Sequence, residues 1–398
     1  MFWQKIRMHA AVLLICLAGA ALAGSVQERQ VDFGLRVFRE VARSAPEEGN
    51  LVFSPYGVAV VMGMVQLGAA GSTLKQLNAQ MGYSLQERGV PRQQRLLQKQ
   101  LSAEDALTMV SGTMVDRRLR MEKAFKRGLN KSFLSGVHQL DYSDPETALR
   151  VINAWVADQT EGSISDFLAL GSVTDETRLV LLNAIHFQGR WRVPFDPKMT
   201  HERVFHCANG STVSVPMMQL TDRFNYGEFM TADGVGYDVI ELPYEGDTMS
   251  MLLVSPFDRD TPLSALTQGL DGRSLREWRA GLRKTSRQLV LPRFTIDSES
   301  DLNEALTRLG LGEIFNQWKA DFSRISADEM LSVSKVLQRV KIEVDEEGTT
   351  GSAATAAIIY SRMAIEELTM DRPFLFVVQH KPTGAVLFMG QVMAPEEH

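Results

Sequence analysis

The sequence contains very little cysteine. Only Cys16 and Cys207 occur among its 398 residues, and Cys16 lies in a segment that we expect to be removed. The mature chain therefore has no partner for an intramolecular disulfide, and its stability must come from a hydrophobic core, which a chain of this length can supply. Because no basic cluster lies near Cys207 in the sequence, we interpret it as a structural thiol rather than a nucleophile.

The motifs of common enzyme classes are also missing. The chain has no GxSxG, GxxxxGK[ST], CxxC or GxGxxG pattern. His201 and His206 are five residues apart rather than the four of a zinc protease helix, and their segment favours a strand. His186 lies in a continuous apolar segment and is interpreted as a core histidine. The sequence therefore predicts neither an enzyme nor a metal site, and it implies no cofactor.

Only one apolar run resembles a targeting or membrane segment. Residues 10–22 are apolar, follow Lys5 and Arg7, and end in Ala-Leu-Ala before Gly24. This is the pattern of a secretory signal, and about 13 apolar residues are too few to span a bilayer comfortably. We therefore expect residues 1–23 to be a signal peptide and residues 24–398 to be secreted into the extracellular space, with an uncleaved anchor as the alternative.

Composition and charge are those of a globular protein, with 44% hydrophobic and 23% charged residues. No Pro/Ser-rich seam divides the chain, so residues 24–398 are predicted to form a single domain. The formal net charge is −6 and becomes −8 when Lys5 and Arg7 leave with the signal. Any site for a polyanion must therefore be a local patch.

One basic stripe stands out against this acidic background. If Pro91 opens a helix, four cations share one face of it and Leu97 and Leu101 point away. The four residues are Arg88, Arg92, Arg95 and Lys99. Two interpretations are open: an ordinary solvated helix face, or a binding site for a sulfated glycan.

Two asparagines lie in N-glycosylation sequons. They are Asn130, in Asn-Lys-Ser, and Asn209, in Asn-Gly-Ser. Both are candidate glycosylation sites, and their occupancy stays open.

Helical and strand patterns are mixed along the chain. Residues 27–43 repeat apolar positions at helical spacing, and Ser54-Pro55 supplies a cap and a first-turn proline for a helix that is apolar nearly all round. Residues 178–187 form a continuous apolar strand, which is typical of a sheet covered on both faces. No regular βαβ repeat is present, so the predicted fold class is α+β.

The segment between two β-favouring stretches, EVDEEGTTGSAATAAIIYSRMAIEELTMDRP, differs from the rest of the chain. From residue 348 to 357 it contains only Gly, Ser, Thr and Ala, and no charge or proline occurs before Arg362. A flexible linker is one interpretation. The alternative is a bait loop, because Arg362-Met363 is an isolated trypsin-type cleavage point and the preceding residues are acceptable as a strand.

This pattern resembles the reactive-centre loop of the serpin family, and the resemblance covers nearly the whole mature chain. Its other motifs, in family order, are NLVFSP (50–55), INAWVADQTEGSI (152–164), NAIHFQGRW (183–191), IELPYEGDTMSMLL (240–253) and DRPFLFVVQHKPTGAVLFMGQV (371–392). The resemblance implies three β-sheets surrounded by about nine helices, with an exposed loop at about residues 346–370.

The resemblance also implies a function. A serpin of this type inhibits a trypsin-like protease as a suicide substrate: the Arg362-Met363 bond is attacked, and the freed loop inserts into a sheet and traps the enzyme. Glu366 and Glu367, just past that bond, imply a protease exosite. The residues that match the inhibitory hinge are Glu346, Glu347, Gly348, Thr349, Gly351, Ala353 and Ala354.

Within the family, the Arg362-Met363 bond followed by two glutamates is most similar to the branch that inhibits tissue-type and urokinase-type plasminogen activators. That branch restrains fibrinolysis and pericellular proteolysis. The alternatives are an inhibitor of another arginine-specific protease such as thrombin, or a non-inhibitory serpin that binds matrix or glycan.

The resemblance further implies partners. A heparin-like glycosaminoglycan would bind the basic stripe, and vitronectin would bind the surface formed by residues 117–133. There the chain departs from the hydrophobic pattern of its branch, because Lys126 and Arg127 follow Phe125. We expect a monomer that binds no nucleic acid.

Overall fold

The computed structural model describes residues 25–46, 49–348 and 365–395. Its helices are α1 (Val26–Ser44), α2 (Pro55–Gly68), α3 (Gly71–Met81), α4 (Val90–Leu101), α5 (Lys123–Phe133), α6 (Pro145–Gln159), α7 (Leu263–Gly269), α8 (Gly272–Gly281) and α9 (Asn303–Leu306). Short turns of other helix types lie at Pro197–Met199, Thr307–Leu311 and Gly312–Phe315.

The strands follow the same chain order. They are β1 (Leu51–Phe53), β2 (Leu107–Asp116), β3 (Val137–Leu140), β4 (Leu179–Phe187), β5 (His201–His206), β6 (Thr212–Met230), β7 (Gly236–Pro243), β8 (Met249–Pro256), β9 (Arg283–Pro292), β10 (Phe294–Asp301), β11 (Lys335–Val344), β12 (Glu366–Thr369), β13 (Phe374–His380) and β14 (Ala385–Val392).

The first two helices each begin directly after a capping serine. Ser25 and Glu28 form a capping box at the start of α1, each side chain bonding the other's backbone N–H. At α2 the Ser54 hydroxyl accepts a hydrogen bond from the backbone of Gly57, and Pro55 occupies the first turn. Nearly every residue of α2 is buried, which confirms the prediction of an internal helix.

The smaller sheet has five strands in the order β10-β11-β4-β2-β3. Strands β4 and β11 are neighbours and run parallel, with Lys335 opposite Val180 and Lys341 opposite His186. All nine residues of β4 are buried, which confirms the predicted central strand. His186 is among them, and burial lowers the pKa of its imidazole, with Lys341 acting in the same direction.

Helices cover both faces of this sheet where β4 and β11 meet. On one face, α2 approaches so closely that a Cβ on Gly57 would lie 2.0 Å from the Asn183 side chain. On the other face, Ile152 and Val156 of α6 share a buried apolar cluster with Leu182 of β4 and Leu337 of β11. The β4–β11 junction is therefore covered on both faces.

The larger sheet has nine strands in the order β1-β14-β13-β8-β7-β6-β9-β12, with β5 paired to β6. Strand β6 pairs with β5 at its start and with β7 at its end, so two of the three expected sheets are joined through it. Strand β12 lies at the edge and pairs in parallel with β9. The mixture of parallel and antiparallel strands with flanking helices confirms the α+β class.

Gly390→Ala tests how tightly β14 packs between its neighbours. A Cβ at Gly390 would lie 2.2 Å from the Leu51 carbonyl oxygen and 2.5 Å from the Phe376 ring, so we expect the free energy of unfolding to fall by about 2 kcal/mol. Gly136→Ala is the matched control, because no heavy atom lies within 4 Å of its Cβ position. Urea denaturation of both variants measures the difference, and equal midpoints would contradict this packing.

Candidate functional site

The four residues after β11 turn the chain out of the five-stranded sheet. The Asp345 N–H donates to the Gly348 carbonyl at 3.0 Å, and the Asp345 carboxylate accepts from the N–H groups of Glu347 and Gly348 at 2.9 and 3.1 Å. These bonds close a tight turn directly at the end of the strand. Residues 345–348 therefore mark the point at which the chain leaves the sheet.

The segment that follows β4 holds this turn in place. The Trp191 N–H donates to the Glu347 carbonyl at 2.9 Å, and the Phe195 N–H donates to the Glu346 carbonyl at 2.8 Å. The Trp191 indole also donates to the Asp345 carbonyl at 2.9 Å and stacks on Tyr244 with ring centroids 4.5 Å apart. The segments that follow β4 and β11 are thus hydrogen-bonded to each other.

Gly348 occupies a position that only glycine fits. Its φ is 125°, in the region that side chains rarely adopt, and a Cβ there would lie 2.3 Å from the Gly189 carbonyl oxygen. The sequence assigned Gly348 to the hinge from its motif alone. The structure adds the physical reason, which is the close approach of the two backbones.

Glu346 is a buried carboxylate held by one cation. Its side chain is 5% exposed and accepts from Arg293 Nε at 2.7 Å, from a second nitrogen of the same guanidinium, and from the Thr200 hydroxyl. Burial pushes the pKa of Glu346 up, but the hydrogen bonds from Arg293 and Thr200 outweigh it and lower this pKa below its ordinary value. Glu346 is therefore ionised at neutral pH.

Asp345 behaves differently although it is the next residue. Burial raises the pKa of its carboxyl, and the backbone hydrogen bonds from Glu347 and Gly348 offset only part of that rise. Arg293 is shared with Glu346 and also opposes the rise. The surroundings thus raise the pKa of Asp345 and lower the pKa of the adjacent Glu346.

A buried polar cluster lies beneath the β4–β11 junction. The Gln338 amide of β11 donates to Asn183 of β4 at 2.9 Å and to the Ser54 carbonyl at 3.1 Å, and its oxygen accepts from the Ser54 N–H at 2.8 Å. These bonds tie both strands to the start of α2. Sequence reasoning identified Ser54 as a helix cap and missed the connection to Gln338.

The rest of the predicted loop lies outside the described residues. This applies to Thr349, Gly351, Ala353, Ala354, Arg362 and Met363. The described chain resumes at Ile365 and continues into β12.

The two predicted exosite glutamates begin β12 and are ion-paired within the protein. Glu366 lies 3.0 Å from Arg287 of β9, and Glu367 lies 3.1 Å from Arg203 of β5. Arg287 is only 14% exposed and stacks over the Tyr226 ring at 4.3 Å, whereas Glu366 is 74% exposed. Sequence reasoning placed both carboxylates at the surface and missed their arginine partners.

The predicted basic stripe is only partly formed. Helix α4 begins at Val90 after a Gly89 cap in the left-handed region, so Arg88 lies in the preceding turn rather than on the helix, and that part of the prediction is wrong. Arg92 and Lys99 are exposed, and Leu97 and Leu101 are buried as expected. Pro91 opens the first turn of the helix.

Arg95 is half-buried and has a structural role. Its guanidinium donates to the carbonyls of Asn130 and Lys131 at 3.0 Å each, near the end of α5. These are carbonyls that a helix end leaves without an intrahelical partner. Arg95 therefore joins α4 to α5.

The remaining predicted residues lie at the surface or in strands. Asn130 is exposed on α5, and Asn209 is exposed in the turn between β5 and β6, where Gly210 has φ of 79°. His201 and His206 are the two ends of strand β5, which agrees with the sequence interpretation. Within the described ranges, no group of three metal-ligating side chains forms a site.

Throughout the described part of the chain, no helix is long and apolar enough to cross a membrane.

Comparisons with known proteins agree with this geometry. Residues 28–395 match the family model described as "Serpin (serine protease inhibitor)". The chain is 45% identical to plasminogen activator inhibitor 1 of Sus scrofa, covering 98% of this chain and all of that protein, and 47% identical to that of Neovison vison, covering 92% of each. It is also similar to the crystal structure of native protease nexin-1 with heparin, with TM-score 0.87 and 36% identity over 93% of this chain and 99% of that one.

Glu346→Gln tests the buried ion pair. At pH 7 we expect the free energy of unfolding to fall by about 2 kcal/mol, because the carboxylate is buried while Arg293 is more than a third exposed. Since the folded-state pKa is lowered, the stabilisation is complete above the unfolded value of about 4.3 and is lost as the pH falls through the folded value. The difference between wild type and variant should therefore shrink in acid.

Denaturant unfolding between pH 7 and pH 3 measures this difference. Glu343→Gln is the matched control on the same strand, because its partner Lys341 and its own carboxylate are both about a third exposed, and its effect should stay below about 0.5 kcal/mol. An effect of Glu346→Gln that stayed constant with pH would contradict an ionised Glu346.

Proposed function

The chain belongs to the serpin family of serine protease inhibitors, and from this premise we propose that it is a secreted suicide substrate of trypsin-like proteases. The chain is 45–47% identical to plasminogen activator inhibitor 1 proteins. This similarity favours tissue-type and urokinase-type plasminogen activators as targets. The reactive bond is Arg362-Met363. Residues 1–23 act as the signal peptide, and residues 24–398 form the secreted monomer.

The observation that carries the proposal is the closed junction between β4 and β11. The two strands pair directly over residues 335–341, and the chain then turns away at Gly348. Residues 349–364 connect this turn to β12, which lies at the edge of the other sheet. The segment that carries Arg362 is thus joined in sequence to two sheets, and β4 and β11 pair directly with each other.

The first chemical step is acyl transfer to the protease. The protease serine attacks the carbonyl of Arg362, whose guanidinium enters the acidic specificity pocket. The Arg362-Met363 amide breaks, the new amine leaves on Met363, and an ester joins Arg362 to the serine. The segment before Arg362 is then connected to the protein only through Gly348.

The second step is insertion of that segment between β4 and β11. Because these strands are parallel to each other, a chain that reverses at residues 345–348 would enter antiparallel to both. About 14 inserted residues at 3.3 Å each span some 46 Å, enough to carry the protease far from its docking position. At about 1 kcal/mol per new ladder hydrogen bond, a full strand supplies on the order of 10 kcal/mol.

Insertion has an opposing cost. The pairs between β4 and β11 must separate, and the apolar contacts that Leu337 and Leu182 share with α6 must shift. The uncleaved protein is on this account metastable, with the loop connection at β12 keeping the strand out of the sheet.

We assign the exposed cations of α4 to a sulfated glycan. Arg92 and Lys99 point outward from a helix whose other face is buried, and a similar structure is that of protease nexin-1 with heparin. Binding of vitronectin at residues 117–133 is a separate expectation from the sequence resemblance, and the basic helix α5 offers little apolar surface for it.

Urokinase tests the function directly. Incubation with the wild-type protein should give a band at the summed mass on a denaturing gel, and Arg362→Ala should abolish that band because the protease pocket carboxylate would lose its partner. Thermal unfolding of Arg362→Ala, expected to match wild type, is the control for folding. Equal trapping by both proteins would place the reactive bond elsewhere.

The exosite glutamates are expected to steer the protease. Glu366→Ala with Glu367→Ala should lower the association rate several-fold at low salt and less at high salt. The reason is that both carboxylates can leave their partners, Arg287 and Arg203, and pair with a basic loop on the enzyme. Stopped-flow kinetics over a range of ionic strength measures the effect. A rate unaltered at every salt concentration would remove the steering role.

Two substitutions by arginine, at adjacent positions of the loop, test the insertion step. Side chains of an inserted strand alternate between its two faces, and the family resemblance assigns Thr349 to the interior face, so Thr350 would face the solvent. Thr349→Arg should cost the uncleaved protein within about 0.5 kcal/mol but should oppose insertion by several kcal/mol, since it buries an unpaired guanidinium. This variant should be cleaved at Arg362 and released as a substrate.

Thr350→Arg is the matched control and should remain an inhibitor. The ratio of cleaved protein to trapped complex on a denaturing gel separates the two outcomes. Equal trapping by the two variants would contradict insertion as the inhibitory step.

A further inference from the structure

Helices α4 and α5 contain seven cations and no acidic residue. On α4 they are Arg92, Arg95 and Lys99, and on α5 they are Lys123, Lys126, Arg127 and Lys131. The whole chain has a net charge of −6, so this density of positive charge is local. Two neighbouring helices without carboxylates of their own create a local positive potential that suits a polyanion.

The cations of α5 are available at the surface. Lys123, Lys126, Arg127 and Lys131 are all exposed, whereas the large apolar side chains of α5 (Phe125, Leu129, Phe133) are buried. Among the residues that the structure describes, none of these four cations forms an ion pair.

Cations just before α5 are paired, which makes the contrast informative. Arg117 lies 2.7 Å from Asp141, and Arg118 and Arg178 both contact Asp116. Arg120 lies 3.8 Å from Asp328. The protein thus neutralises the arginines leading into α5 and leaves the cations of α5 itself without carboxylate partners in the described chain.

Arg95 joins α4 to the last turn of α5. It extends sideways from α4 to the Asn130 and Lys131 carbonyls at 3.0 Å, so Lys131 on the last turn of α5 lies beside α4. Arg92 and Lys99 precede and follow Arg95 by one turn and point outward. The guanidinium also occupies the carbonyls at the negative end of the α5 dipole.

We propose that a sulfated glycan chain binds across both helices, with α5 forming a second arm of the site that begins on α4. This inference rests on the glycan site assigned above and extends it to Lys123, Lys126, Arg127 and Lys131. Arg95 is a positioning residue that sets the two helices side by side. The exposed face of α5 between Lys123 and Phe133 carries no large apolar side chain, which favours a polyanion over an apolar protein contact.

We expect the length of the ligand chain to matter, because the proposed site extends over two helices. Helix α4 is about 18 Å long and α5 about 16 Å, at 1.5 Å per residue. A short heparin oligosaccharide can cover α4 alone, whereas a long heparin chain can reach both helices. Long chains should therefore depend on the α5 cations, and short ones should not.

The experiment measures heparin affinity at several salt concentrations. For long heparin, Lys126→Gln with Arg127→Gln should weaken binding roughly tenfold and lower the slope of log Kd against log salt by about two, because two fewer counterions are released. For a short oligosaccharide, the same pair should change neither quantity. Arg92→Gln with Lys99→Gln should weaken both ligands.

The matched control is Arg273→Gln with Lys319→Gln, an exposed pair on other elements that gives the same change in net charge. It should leave both affinities unchanged, and thermal unfolding should show that all variants are folded. Long heparin bound by the α5 variant with unaltered affinity and slope would overturn the proposal. Loss of vitronectin binding with unaltered heparin binding would assign α5 to a protein partner and would equally overturn it.

The outcome is separable from that of the proposed inhibitory function. A wild-type protein that binds long heparin through α5 but fails to trap urokinase would support this inference and contradict the inhibitory function. Normal trapping of urokinase without any contribution of α5 to heparin binding would support the inhibitory function and contradict this inference.

Discussion

The direct pairing of β4 and β11 is the constraint on which the rest of the molecule depends. The two strands are parallel, lie inside the five-stranded sheet, and are covered by α2 on one face and α6 on the other. Parallel strands normally need such cover, because neither face can be left to water. The polar cluster of Ser54, Asn183 and Gln338 satisfies the amide groups that this burial would otherwise leave unpaired.

The chain leaves the sheet at the end of this junction, where unfavourable and stabilising features lie side by side. Gly348 has a backbone conformation open to few other residues, and Asp345 is buried enough for its pKa to rise. Against these, Glu346 is stabilised by Arg293, and Trp191 fixes two carbonyls of the turn. A turn held by partners from several elements can keep a connecting segment outside the sheet while the sheet itself stays closed.

Charged side chains have different local partners in different parts of the surface. At β12, Glu366 pairs with Arg287 and Glu367 pairs with Arg203. These ion pairs help to hold a short edge strand that has few backbone hydrogen bonds of its own. On α4 and α5 the outward cations have no such partners among the described residues, and they remain available to an external anion. Charge alone therefore does not define a site: Glu366 and Glu367 must exchange an arginine partner to act on a protease, whereas the cations of α5 have no carboxylate partner among the described residues to give up.

The sequence alone determined the features that depend on neighbouring residues. The cap and proline of α2, the buried strand β4 and the αβ mixture follow from local periodicity and capping chemistry, and the structure confirms them. Arg362-Met363 and the hinge beyond Gly348 remain sequence predictions, because they lie outside the described residues. Tertiary structure alone decided the partners of Glu346, Glu366, Glu367 and Arg95, because each ion pair or cap joins segments tens of residues apart through strand register or helix packing. It also placed Arg88 outside α4, since the left-handed Gly89 ends the turn there, and a regular cation spacing carries no information about where a helix begins.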